Sequence, residues 1–269
     1  MYIFNVDYLL RAVKTIYFKG YTTAFLEDYK EFPNRKIKKG IAQPWAIASD
    51  YNTVLATETL QKTHKELQTI AFLIIKNDSI WHESYFDGFD KNSRTNSFSM
   101  AKSVVTMVMG KAIMEGKIKS LDQKAIDFIP DLKGEFAKEV TVGDLSSMAS
   151  GLNWDEKYYS PLSIVTRAYF DDDLKKVMSG LEINEKPGKS FKYLSGATQL
   201  LAMCVEKATG EYLSDYVSKN FWQPMGAENE ALWQLDHNDD GIEKAYCCIA
   251  SNARDFARFG KLYLNNGNW

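Results

Sequence analysis

The order of hydrophobic periods along the chain predicts an α+β fold. Two apolar runs of strand length stand early, with a turn between them. Nearly everything after them repeats at helical spacing, with caps and stops at the joints. At 269 residues and 45% apolar, the chain can bury a substantial core as one large domain or two intimate ones.

Taken in order, MYIFNVDYLLRAVKTIYFKG sets Leu9, Leu10, Val13, Ile16 and Tyr17 near one face of a helix, interrupted by Arg11, Lys14 and Lys19. It lacks the apolar core and small-residue cleavage site of a signal peptide, which leaves the compartment undetermined: cytoplasmic as written, or the cell envelope if a leader precedes it. Residues 1–22 form an amphipathic segment that docks on the domain in preference to lying on a membrane surface, and residues 23–269 form the domain. Thr69–Ile75 and Ser79–Phe86 read as a hairpin joined by Lys76-Asn77-Asp78. The first strand is apolar on both faces, as a central strand would be. A lone hairpin is marginal, so the sheet needs further strands, for which few candidates follow.

Ser99 to Glu115 reads as an apolar helix closed by Gly116. Thr141 to Asp144 resembles a capping box with Asp in place of Glu, opening a short helix that stops near Gly151. Ala197, Leu200, Leu201, Cys204, Val205 and Ala208 make one stripe, stopped by Gly210, and another helix covers Glu211 to Phe221. Ser251 looks like the N-cap of NARDFARFGKLYL. A mostly helical subdomain is expected over about residues 117–245.

Several classes of function fall away. A net charge of −2 leaves no basic footprint for nucleic acid, and no apolar run is long enough to span a membrane. The three histidines show no metal-ligand spacing and there is no HExxH, so neither a metal nor another cofactor is expected. Three cysteines are too few for a disulfide framework, and Cys247 and Cys248 in AYCCIA read as reduced core or strand residues. PGKS at 187–190 mimics the end of a phosphate-binding loop, but Ile183 stands where that loop needs glycine. No Gly-x-Ser-x-Gly elbow exists.

The candidate chemistry lies in SFSMAKS, where Ser99 and Lys102 are three apart. On a helix they share a face, so the amine can reach the hydroxyl. Ser99 sits at the helix N-terminus, where unpaired N–H groups favour developing negative charge. Burial would lower the amine's pKa and make it a base. The bland reading is a capping serine and a solvated lysine. Tyr-x-Ser/Asn, a partner motif for Ser-x-x-Lys, begins at Tyr158, Tyr193, Tyr212, Tyr216 and Tyr263. Only Tyr193 lies after a Pro-Gly turn and just before a strongly apolar helix, a placement that projects a loop side chain from a rigid support. Ser195 would then hydrogen-bond the site or substrate, or cap the next helix.

With these elements placed, the chain resembles the serine β-lactamase and penicillin-binding-protein superfamily. It is most similar to the class C-like β-lactamase-related hydrolases, among them 6-aminohexanoate-dimer hydrolases and esterases. The resemblance rests on ordered blocks: AFLIIKNDSIWHESYF, SFSMAKSVVTMVMGKAIMEGKI, VTVGDLSSMASGLNWDE, KPGKSFKYLSGATQLLA and CCIASNARDFARFGKLYLNNGNW. It implies a transpeptidase-like fold, with an antiparallel sheet flanked by helices. Ser99 would be the acylated nucleophile, Lys102 its activating partner and Tyr193 the general base and acid, acting on small ester, amide or β-lactam-like substrates. Ser195 occupies a position that is often Asn in class C β-lactamases, which disfavours efficient β-lactam turnover. In NWDEKYYSP, Asp155, Glu156, Tyr158 and Tyr159 would line the substrate cleft, or be solvated loop residues. The superfamily's Lys/His-x-Gly motif and its C-terminal strands have no counterpart here. The resemblance therefore implies a further segment or partner that completes the sheet, or else a catalytically impaired ligand-binding protein.

Overall fold

A computed structural model describes residues 7–238 and 240–269. The chain opens with α1 (Asp7–Thr15), whose Tyr8, Ala12 and Thr15 are buried. The N-terminal segment is thus docked on the domain, against the later helix over Ile164–Phe170. Short strands β1 (Asn34–Ile37) and β2 (Ala46–Ile47) follow, then α2 (Glu58–Glu66), capped by the Thr57 hydroxyl. The hairpin is β3 (Ala71–Lys76) and β4 (Ser79–Tyr85). Its turn residues Asn77 and Asp78 have φ of 50° and 59°, the left-handed pair that matches the twist of the strands.

β5 (Thr95–Asn96) leads into α3 (Met100–Met114). Gly116 follows at φ 70°, as a helix stop requires. α4 (Val142–Ser146) carries the capping box in full: the Thr141 hydroxyl accepts from the Asp144 N–H, and the Asp144 carboxylate accepts from the Thr141 N–H. α5 (Ile164–Phe170), α6 (Leu174–Ser179), α7 (Ser195–Thr209) and α8 (Leu213–Val217) complete the helical block, α8 running into a π turn over Ser218–Trp222. β6 (Ala231–Gln234), β7 (Ile249–Ser251) and α9 (Ala253–Leu264) follow.

The strands form two sheets, β1-β6-β7-β5 and β2-β4-β3, antiparallel except for the β2–β4 pair. Three expectations are corrected. β3 is the edge of its sheet, because β2 pairs with β4. The helical block ends near residue 222, because β6 returns the chain to the sheet before 245. The N-cap of α9 is Asn252, whose side-chain oxygen accepts from Asp255 N at 2.8 Å, while Ser251 is committed to pairing with Thr95.

α3 and α7 pack together at the centre. Ala101, Val104, Val105, Val108 and Ala112 of α3 are buried, as is α7 from Ser195 to Ala202. A helix apolar around most of its girth belongs inside, and burying α3 anchors the serine at its N-terminus on the stiffest part of the molecule.

Candidate active site

Ser99 stands at the N-terminus of α3, accessible to solvent, and its hydroxyl makes no capping bond. Lys102, one turn on, is 7% exposed, with Nζ 3.1 Å from Ser99 Oγ and 2.8 Å from the Tyr246 carbonyl. The capping serine and solvated lysine are therefore not what the geometry contains. Burial pushes the Lys102 amine below its ordinary range, against the opposing pull of the Tyr193 hydroxyl and the Glu156 charge. An amine so disposed can sit neutral beside the hydroxyl and accept its proton.

The backbone before the serine is strained. Phe98 has φ 44°, unusual for a bulky side chain, and its N–H donates to Asn96 Oδ1 at 2.8 Å. Asn96 Nδ2 in turn donates to buried Asp28 at 2.9 Å, which also accepts from Gln234 Nε2 at 2.8 Å and from the hydroxyl of Tyr169. This carboxylate ties β5, β6 and α5 together directly behind the Ser99 turn. Nothing in the sequence singles it out.

Tyr193 lies in the loop before α7, 41% exposed, with its ring centroid 4.9 Å from Lys102 Nζ. Ser195 opens α7 and is buried, but Leu194 holds the N-cap position and no side chain caps the helix. The Ser195 N–H donates to the Glu156 carboxylate, and its hydroxyl lies 3.3 Å from Glu156 Oε2. Tyr158 joins this group: burial and then its hydrogen bond to Glu156 raise its phenol well above the ordinary value.

Asp155 is not in this group. Its carboxylate pairs with Lys157 at 3.6 Å on the surface, and the adjacent Glu156 takes the inward position. The choice is made by packing. A Cβ on Gly196 would come within 2.5 Å of the Trp154 ring, so only glycine lets Trp154 lie on the first turn of α7 and deliver Glu156 to Ser195.

A cavity of about 260 Å³ opens on Ser99 and Lys102. Tyr158, Tyr159, Tyr246 and Cys247 contribute to its lining. Cys247 and Cys248, expected as reduced core or strand residues, are buried in the core, but their sulfurs are bonded to one another. Among the described residues no cluster of His, Cys, Asp or Glu could hold a metal ion, and no helix is long and apolar enough to cross a membrane.

Residues 55–268 match the Beta-lactamase family. The chain belongs to that family. It is 28% identical over 219 residues to the 6-aminohexanoate-dimer hydrolase of Paenarthrobacter ureafaciens, covering 77% of this chain and 55% of that protein. It is 22% identical over 189 residues to Protein flp of Staphylococcus aureus, covering 66% and 37%. The chain thus spans about half the length, or less, of these curated relatives. Among solved structures, a Bacillus anthracis protein assigned by name to the 6-aminohexanoate-dimer hydrolases superposes with a TM-score of 0.71 at 22% identity, covering 98% of this chain and 72% of that one. A class C β-lactamase superposes at 0.54 with 15% identity, covering 77% and 64%. The fold is therefore the β-lactamase/transpeptidase-like α+β fold inferred from the ordered blocks.

Proposed function

We propose that this chain is a serine hydrolase that cleaves ester or amide bonds of small substrates through an acyl-enzyme. The observation that carries the reading is the buried Lys102 amine 3.1 Å from an accessible Ser99 hydroxyl that caps nothing. Ser99 Oγ attacks the carbonyl carbon while its proton passes to Lys102, directly or through the Tyr193 hydroxyl. The Ser99 N–H, free at the start of α3, donates to the oxygen that becomes negative. Tyr193 then hands the proton to the departing alcohol or amine, leaving the acyl group on Ser99. Water, deprotonated by the same pair, attacks the ester and restores the serine. Glu156 orients Ser195 and Tyr158, which face the substrate beside the scissile bond. The printed name of the 28%-identical relative, a 6-aminohexanoate-dimer hydrolase, supports the hydrolase reading.

The test is intact-mass spectrometry after incubation with a fluorophosphonate, with Ser99→Ala as control. One adduct mapped to Ser99 and absent from the variant supports the reading. Reversible ligand binding by a folded chain without any adduct would move it to the impaired, binding-only alternative.

A further inference from the structure

The cavity beside Ser99 is walled by the N-terminal segment. Ala12 and Ile16, on the buried side of α1 and its continuation, line it together with Tyr17 and Thr23. Val165 and Phe170 of α5 also line it. Among the described lining residues none is Asp or Glu, and Lys102 is the one cation. Two ion pairs hold the segment to the domain: Arg11 pairs with Asp172 and also donates to the Phe170 carbonyl at 3.4 Å, and Lys19 pairs with Glu31.

We infer that the N-terminal segment determines substrate choice: it closes a subsite for an uncharged apolar chain on one side of the scissile ester or amide bond. A substrate end carrying an ammonium would find no carboxylate there, and burying it would cost its hydration. A methylene placed there instead leaves water, worth about fourfold in selectivity per carbon until the cavity is full. Ala12 and Ile16 serve as wall because α1 packs on α5. The helix therefore contributes to recognition without touching the reacting atoms.

The kinetic arm rests on the hydrolase reading; the binding arm does not. The full chain would be assayed on two p-nitrophenyl or alkyl ester series, one lengthened at the acyl side and one at the alcohol side. Ile16→Ala enlarges the cavity. Thr23→Trp narrows it from an exposed position, where the substitution leaves the core intact. The expected result is a rising kcat/KM with chain length in one series, with the long-to-short ratio falling at least tenfold in Thr23→Trp and its optimum moving to longer chains in Ile16→Ala. Turnover whose chain-length profile is the same in all three proteins overturns the inference. In parallel, octanamide binding to Ser99→Ala is measured by titration calorimetry. Binding that weakens about tenfold when Thr23→Trp is added supports the subsite even if no ester is turned over. Absence of binding, or binding indifferent to Thr23, overturns it.

Discussion

Lys244 offers a quantitative test of the packing behind the cavity. Its side chain is fully buried, and Nζ has no hydrogen-bond partner among the described residues. The amine sits 3.5 Å from the centroid of the Phe32 ring and 4.7 Å from that of Tyr169, which also lines the cavity. Burial pushes the amine down to about 7, against the attraction of Asp28 and Asp236. In the unfolded chain a lysine titrates near 10.4. Between the two values the unfolded state holds a proton that the folded state does not, so this group makes stability rise with pH from about 7 upward. Below that range both states are protonated and the cost is constant. At about 1.4 kcal/mol per pH unit, the contribution between pH 7 and 9.5 comes to about 3 kcal/mol, after allowing for partial protonation near the lower value. Lys244→Met keeps an unbranched side chain between the two rings and removes the titration. Urea unfolding followed by tryptophan fluorescence should show the variant more stable at pH 7, with its advantage shrinking by about 3 kcal/mol at pH 9.5. A constant difference between the two proteins across that range would refute burial of an unpaired amine.

Removing the Tyr193 hydroxyl as Tyr193→Phe should lower ester turnover by about 10²–10⁴-fold, measured with fold confirmed by circular dichroism. Because burial lowers the Lys102 amine, ester turnover should rise with pH along a limb centred below the ordinary lysine value of 10.5, and Lys102→Arg, which stays charged, should abolish that limb in stopped-flow acylation. For Glu83, burial raises the carboxyl, but hydrogen bonds from Arg254, Tyr85 and Tyr51 outweigh it and leave the group lowered. It therefore adds stability above its ordinary value of 4.5 that is lost as pH falls through the folded value, and Glu83→Gln should flatten the acid limb of a thermal-melt series. Asp28→Ala strands the donors of Asn96, Gln234 and Tyr169 and should cost at least about 3 kcal/mol in urea unfolding.

The parts of the site that depend on local geometry were readable in the chain. A spacing of three on a helix brings Ser99 and Lys102 together whatever surrounds them, and the Gly stops and the Thr141–Asp144 box act within a few residues. Tyr193 could be chosen from five candidates because the helix after it is apolar enough to be buried. The choice between Asp155 and Glu156 could not be made, since adjacent residues in a loop point in directions that only the contact of Trp154 with Gly196 decides. The short strands β1, β2, β5, β6 and β7 were missed because two to four residues carry no measurable period. Lys102's second partner, the Tyr246 carbonyl, belongs to a run whose side chains announce only burial.

The residues readable in the chain and those that were not do different physical work. Ser99, Lys102 and Tyr193 supply groups that can react, but their pKa values and positions come from elsewhere. Desolvation of Lys102 needs α3 buried against α7, and its amine is aimed by a backbone oxygen 144 residues away. The strained Phe98 turn persists because Asn96 holds its N–H and Asp28 holds Asn96. Tyr169 links this same carboxylate to α5, on which α1 packs. The elements that position Ser99 are thus continuous with those that wall the cavity. A substitution in the Asp28 network should therefore change the rate on every chain length as well as the preference, whereas one at Thr23, in the cavity wall, should act most on the longer chains.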